Sequence, residues 1–130
     1  MCAMSETTTR GIRIRAVPTY VPEQSNPDEE RYLFAYHISV HNDGDESVRL
    51  ISRHWVITDG DGASSEVDGL GVVGEQPKLK PGGMFEYTSA CPLPTPVGTM
   101  HGSFRMLTEN GEEFDAVIAA FTLAIPRALH

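Results

Sequence analysis

Apolar and polar positions alternate with a period of two along most of this chain, a spacing that predicts strands rather than helices. The clearest run puts Tyr32, Phe34, Tyr36, Ile38 and Val40 on one face and Leu33, Ala35, His37, Ser39 and His41 on the other. Ile12, Ile14 and Ala16 alternate in the same way with Arg13, Arg15 and Val17. Pro18 and Pro22 suit an edge, where a missing N–H costs no ladder bond. Further strands are expected over residues 48–58, 63–67, 84–89, 100–108 and 112–123. Between them stand Asn42-Asp43-Gly44-Asp45, Asp59-Gly60-Asp61-Gly62 and Pro81-Gly82, residue types that tolerate or pre-set turn backbone. Asn110-Gly111 is the preferred centre of a type I′ turn, so the last two strands should pair as a hairpin. About seven strands and no helix imply an all-β fold: a two-sheet antiparallel sandwich, immunoglobulin-like or fibronectin type III-like. A closed barrel is the alternative.

Length adds that this is one domain, since 130 residues bury about two-thirds of the extended chain's surface without metal or disulfide staples. Residues 1–9 are Ser/Thr-rich, lack an apolar period and read as a disordered lead-in. Residues 10–125 form the domain, and residues 126–130 a C-terminal tail. The net charge of −8, with ten basic residues that form no cluster, argues against nucleic acid and against anionic membrane surfaces. No stretch approaches the roughly 20 apolar residues of a membrane helix, so no membrane insertion is expected. Cys2 and Cys91 are the only cysteines, and with Cys2 in the lead-in they read as free thiols in a reducing compartment. Without an apolar leader the expected location is cytoplasmic.

Gly69-Leu70-Gly71-Val72-Val73-Gly74 matches the G-x-G-x-x-G pattern of dinucleotide-binding turns. That mechanism needs a helix after the last glycine, and Pro77 and Pro81 interrupt one. Nor does a ribose-binding carboxylate follow at the required distance, where the chain reads Ser89-Ala90-Cys91-Pro92. Two readings remain: a loop whose glycines take positive φ, or a nest of backbone N–H groups that holds a phosphate or a partner's carboxylate. In Ser52-Arg53-His54-Trp55, Arg53 and Trp55 share one strand face and Ser52 and His54 the other. Arg53 could clamp an anion and His54 could move protons, whereas the plainer reading has Trp55 in the core and the other two along an edge. The candidate binding residues are therefore Arg53, His54, Gly69, Gly71, Gly74, Glu75 and Gln76. Asp59 and Asp61 are weak metal candidates, because an EF-hand's further carboxylates are missing. His37 and His41 lie roughly 13 Å apart by strand rise, too far to share an ion. No catalytic constellation emerges, and neither an enzyme nor a cofactor is expected.

Ser52-Arg53-His54-Trp55, residues 69–77 and Leu79-Lys80-Pro81-Gly82 together closely resemble the ApaG family. Phe85-Glu86-Tyr87-Thr88-Ser89, Thr95-Pro96-Val97-Gly98-Thr99-Met100 and Gly102-Ser103-Phe104-Arg105-Met106 continue the match, which covers roughly residues 11–124. The resemblance implies a fibronectin type III-like sandwich in a small bacterial protein. It also implies a link to cobalt and magnesium resistance or efflux, gene neighbours that hydrolyse diadenosine tetraphosphate, and a protein-interaction role for related domains in F-box proteins. It assigns no catalytic residue. The functional expectation is a binding module with an unidentified protein partner, showing an exposed apolar patch beside the Gly69–Gln76 loop. The alternative is a binder of phosphate or pyrophosphate, dinucleoside polyphosphates included, and by extension a hydrolase, using the Gly69–Gly74 loop.

Overall fold

The computed structural model describes residues 4–126. The expectations for Cys2 and for residues 127–130 lie outside the described residues. Among the described residues nine strands follow in order: β1 (Ser5–Thr9), β2 (Ile12–Tyr20), β3 (Tyr32–Asn42), β4 (Val48–Asp59), β5 (Ser64–Leu70), β6 (Lys78–Leu79), β7 (Met84–Leu93), β8 (Val97–Thr108) and β9 (Glu113–Ala124). They form two sheets, β1-β2-β3-β7 and β5-β4-β8-β9, with β6 also paired to β4. The pairings are antiparallel throughout. The fold is the expected two-sheet sandwich.

The alternating residues do what their period requires. Ile12, Ile14 and Ala16 on β2 and Phe34, Tyr36, Ile38 and Val40 on β3 are buried against Trp55, Phe104 and Phe121 of the other sheet. Trp55 organises the aromatic centre, meeting Tyr36, Phe104 and Phe121 edge-on with ring centroids 5.4, 6.3 and 6.0 Å away. Such edge-to-face contacts add to what area burial alone contributes. Gly102 stands opposite Trp55 in the register, and a Cβ there would lie 2.0 Å from the His54 carbonyl oxygen. Pro18 pairs with Tyr36 of β3 and lies two residues past Ala16, the last β2 residue paired to β1 among the described residues.

Three local expectations are corrected. Ser5–Thr9, taken as disordered, is β1. Arg10 and Gly11 both adopt positive φ (48° and 82°) and turn the chain so that Thr9 pairs with Ile12. Ser5 Oγ donates to the Ala119 carbonyl at 2.7 Å and the Val117 N–H donates to Thr9 Oγ1 at 3.1 Å, so β1 closes the sandwich onto β9. Hydroxyls and ladder bonds hold this strand, which is why it has no apolar period. Next, the β8–β9 hairpin forms as expected but its turn is a three-residue loop. Only Gly111 has positive φ (84°), its N–H donates to the Thr108 carbonyl at 3.1 Å, and the Thr108 N–H donates to the Glu112 carbonyl at 2.8 Å. Finally, the strand count rises from about seven to nine, because β1 and the two-residue β6 escape a periodicity test.

A bulge in β4 decides where the candidate residues point. The β4–β8 register shifts between Leu50 and Ser52, leaving Ile51 as the extra residue. Val48 and Leu50 face the core before it, and Arg53 and Trp55 face inward after it. Ser52 and His54 therefore lie on the outer face of the five-stranded sheet.

Candidate functional site

The glycine segment is an excursion from the edge of that sheet. β5 and β6 pair with the same edge of β4, β5 through residues 52–58 and β6 through Val48 and Arg49. Residues 71–77 loop out between them, opposite the Ile51 bulge. The tip is a two-residue turn in which Val73 (φ 44°) and Gly74 (φ 82°) are both left-handed. Val72 N–H donates to the Glu75 carbonyl at 2.8 Å and Glu75 N–H returns to the Val72 carbonyl at 2.9 Å. This is the type I′ geometry that the sequence placed at Asn110-Gly111. Val72 is fully buried and anchors the loop.

Each glycine has a local reason. At Gly71 (φ 62°) a Cβ would come within 2.2 Å of the Glu75 carbonyl oxygen. At Gly69 a Cβ would meet the Arg53 guanidinium carbon at 2.6 Å, so the missing side chain makes room for that group. Gly74 supplies the second left-handed position and nothing crowds it. The Ile51 carbonyl accepts the Gly71 N–H at 2.8 Å and Gln76 Nε2 at 2.9 Å. Arg53 Nη1 donates to the Leu70 and Gly71 carbonyls at 3.1 and 2.9 Å, and Arg49 Nη1 to the Gln76 carbonyl at 2.9 Å. The loop thus offers its carbonyls to two arginines, while the N–H groups of Gly71, Val72 and Glu75 are used internally. Beside it, Leu70 is 76% exposed and Val73 56%. The Glu75 side chain is exposed to solvent.

Hydrogen bonds and close packing join Arg53, Gly69, Gly71 and Gln76, and His54 shares none of these bonds although it lines the same groove as Arg53 and Gly69. His54 points outward, its Nδ1 2.5 Å from Asp68 Oδ1 and its Nε2 3.1 Å from Glu66 Oε1. The hydrogen bond to Asp68 raises the imidazole above its ordinary pKa. The negative charges of Asp68, Glu66 and Asp115 add to this, against some loss of solvation. Nearby, Arg105 donates to Asp115 Oδ1 at 2.8 Å and Glu113 Oε1 at 3.0 Å. Between these clusters runs a groove of about 550 Å³, lined by Ser52, His54, Asp68, Leu70, Ser103, Arg105 and Asp115 among others. Sequence reasoning missed Ser103, Arg105 and Asp115, which strand pairing alone brings opposite Ser52 and His54.

The weak metal candidates resolve differently. Asp59 Oδ1 accepts the N–H groups of Asp61 and Ala63 at 2.9 and 3.1 Å, which makes it the brace of its own turn. Among the described residues, no group of three or more His, Cys, Asp or Glu is placed to hold a metal ion. Cys91 is buried, and desolvation pushes its thiol up to about 11. No helix among the described residues is long and apolar enough to cross a membrane.

Comparison with known proteins gives consistent matches. Residues 22–108 match the ApaG domain model. The chain is 58% identical over 127 residues to protein ApaG of Aromatoleum aromaticum, covering 98% of this chain and 100% of that relative. It is 54% identical over 119 residues to protein ApaG of Bordetella pertussis, covering 92% of this chain and 91% of that one. A crystal structure of an ApaA protein from Bordetella pertussis superposes with a TM-score of 0.87 at 53% identity, covering 89% of this chain and 94% of that chain. The C-terminal domain of wzt, at 11% identity and a TM-score of 0.54, covers 93% of this chain and 77% of that one and shares the fold alone.

Proposed function

This chain belongs to the ApaG domain family, and on that footing we propose that it is a protein-binding module whose contact surface is the Leu70–Val73 loop tip and the groove beside it. The observation that carries the reading is Val73. A type I′ turn takes Asn, Asp or Gly at its left-handed positions, and a β-branched residue there stores about 1–2 kcal/mol of backbone strain. The Val73 side chain is exposed (56%), so burial in the core does not offset that strain. Strain held under an exposed apolar side chain, on a loop pinned by Val72, Arg49 and Arg53, fits a preformed contact point. Phosphate or dinucleoside polyphosphate binding at the glycines has less support, because carbonyls rather than N–H groups converge on Arg53.

Affinity capture from a bacterial lysate, followed by mass spectrometry, tests this. A defined protein should be retained at near-physiological salt by the unaltered chain and lost with Leu70→Asp/Val73→Asp, a pair of surface changes that leaves the circular dichroism intact. Val73→Asn should raise stability by about 1 kcal/mol while weakening capture. Equal capture by all three chains would remove the loop tip from the contact surface, and capture of nothing would count against the module itself.

A further inference from the structure

Strand pairing arranges the outer face of the five-stranded sheet as a grid. One row across β5, β4, β8 and β9 reads Asp68, His54, Ser103 and Val117, and the next reads Leu70, Ser52, Arg105 and Asp115. Ser52 and Ser103 stand diagonally at the centre, and their short side chains leave the groove open between His54 and Arg105. The walls are unequal in charge. Asp68 and Asp115 in the groove and Glu66 and Glu113 at its margins are set against the guanidiniums of Arg53 and Arg105 and the His54 imidazole, so carboxylates still outnumber cations by four to three with His54 protonated. The carboxylates are also accessible, with side-chain exposures of 65% for Glu66, 75% for Asp68, 56% for Glu113 and 52% for Asp115. A carboxylate has about four acceptor positions, so each still offers oxygens after serving its internal partner.

We propose that this groove receives a basic segment of a partner protein, two of whose cationic side chains pair with Asp68 at the β5 edge and Asp115 on β9. The inference rests on the protein-binding reading above and adds the chemistry of the partner. An anionic guest would meet the same carboxylates and be repelled, whereas the chain's overall charge of −8 steers cations toward this surface. Three strand spacings across and a two-residue step along the strands put the two anchors roughly 16 Å apart, within reach of the long side chains of basic residues four positions apart in an extended segment. Leu70, 76% exposed at the groove's end, supplies an apolar contact alongside.

His54 gives the interaction a pH signature. A guest cation on the free oxygens of Asp68 offsets the negative charge that holds the His54 proton, so binding favours the neutral imidazole and strengthens as pH rises through the raised pKa. The charged and titratable groups facing His54 are Glu66 and Asp68 from β5, His101 and Arg105 from β8, and Asp115 from β9, with Arg53 of its own strand turned to the other face. Carboxylates on an ordinary acidic surface are fully ionised well below pH 6 and would give a flat response above it.

The test is isothermal titration of the full chain with the capped peptide Gly-Arg-Thr-Val-Thr-Arg-Gly, and with the same peptide carrying glutamates in place of the arginines. Saturable binding of the arginine peptide is expected at pH 8 and low salt, with a Kd on the order of 100 µM. It should weaken by about fivefold at pH 6, and Asp68→Asn/Asp115→Asn should weaken it by about tenfold. His54→Gln should flatten the pH dependence. Equal binding of the glutamate peptide, an unchanged Kd in Asp68→Asn/Asp115→Asn, or no saturation up to about 2 mM would each overturn the proposal. Loop-dependent protein capture without peptide binding would keep the protein-binding reading and sink this one. Saturable, carboxylate-dependent peptide binding together with protein capture that survives Leu70→Asp/Val73→Asp would keep this proposal and remove the loop tip from the contact surface.

Discussion

His54 and Gly71 show how much a single residue's neighbours decide. Asp68 holds the His54 imidazole above its unfolded value of 6.5, so the folded state binds that proton more tightly than the unfolded chain does. The contribution to stability is therefore complete below pH 6.5 and is lost as pH rises through the folded value. It is small, because both partners are exposed. In an NMR titration the His54 ring should report a midpoint above 6.5 that falls in Asp68→Asn; an unmoved midpoint would mean the hydrogen bond does not form in solution. The glycines differ just as sharply. Gly71→Ala must push a methyl group into the Glu75 carbonyl at positive φ and should cost about 3 kcal/mol. Gly74→Ala, with open space around it, should cost only about 1 kcal/mol. Urea unfolding of the two variants checks that ordering, and similar costs would mean that the loop relaxes around Gly71.

At the scale of elements, the edge strands carry the lesson. β1 is polar, short and joined by Arg10-Gly11, yet it covers β2 on one sheet and bonds to β9 on the other. Deleting residues 2–9 removes two hydroxyl-mediated hydrogen bonds and reopens the edge of β2, so stability should fall by about 2 kcal/mol in denaturant unfolding. No change would restore the reading of that segment as a disordered lead-in. Among the described residues β5 pairs with β4 and β7 with β3, and no further strand covers the other side of either. β5 carries Glu66, Asp68 and Gly69, residues that discourage uncontrolled strand addition and still leave its outward face able to bind. The seven longer strands, β3 above all, were legible because a period of two follows from the backbone of one strand alone. β6 was not, since a two-residue strand carries no period.

For the whole molecule, every sheet contact joins strands brought together by antiparallel pairing, several of them distant in sequence, such as β3 with β7 and β4 with β8. Loop closure must come before most of the stabilising burial. Refolding from urea, followed by Trp55 fluorescence, should therefore take milliseconds to seconds, roughly a thousandfold slower than a helical bundle of this size. Microsecond refolding would contradict so non-local a core.

The sequence by itself determined the class of fold, the inward faces of β2 and β3, where most of the turns fall, the membership suggested by the ordered motifs and the opposite facing of Arg53 and His54. All of these follow from short-range periodicity or from residue types read in order. Only the tertiary structure decided that the G-x-G-x-x-G segment is a type I′ excursion braced by Arg49, Arg53 and Gln76, and that the Ile51 bulge re-aims β4. It also decided that Ser103, Arg105 and Asp115 complete a groove with Ser52, His54 and Asp68. The reason is physical: a bulge, a β-edge excursion and a groove are relations between strands, and which strands become neighbours depends on how the whole set buries its apolar faces.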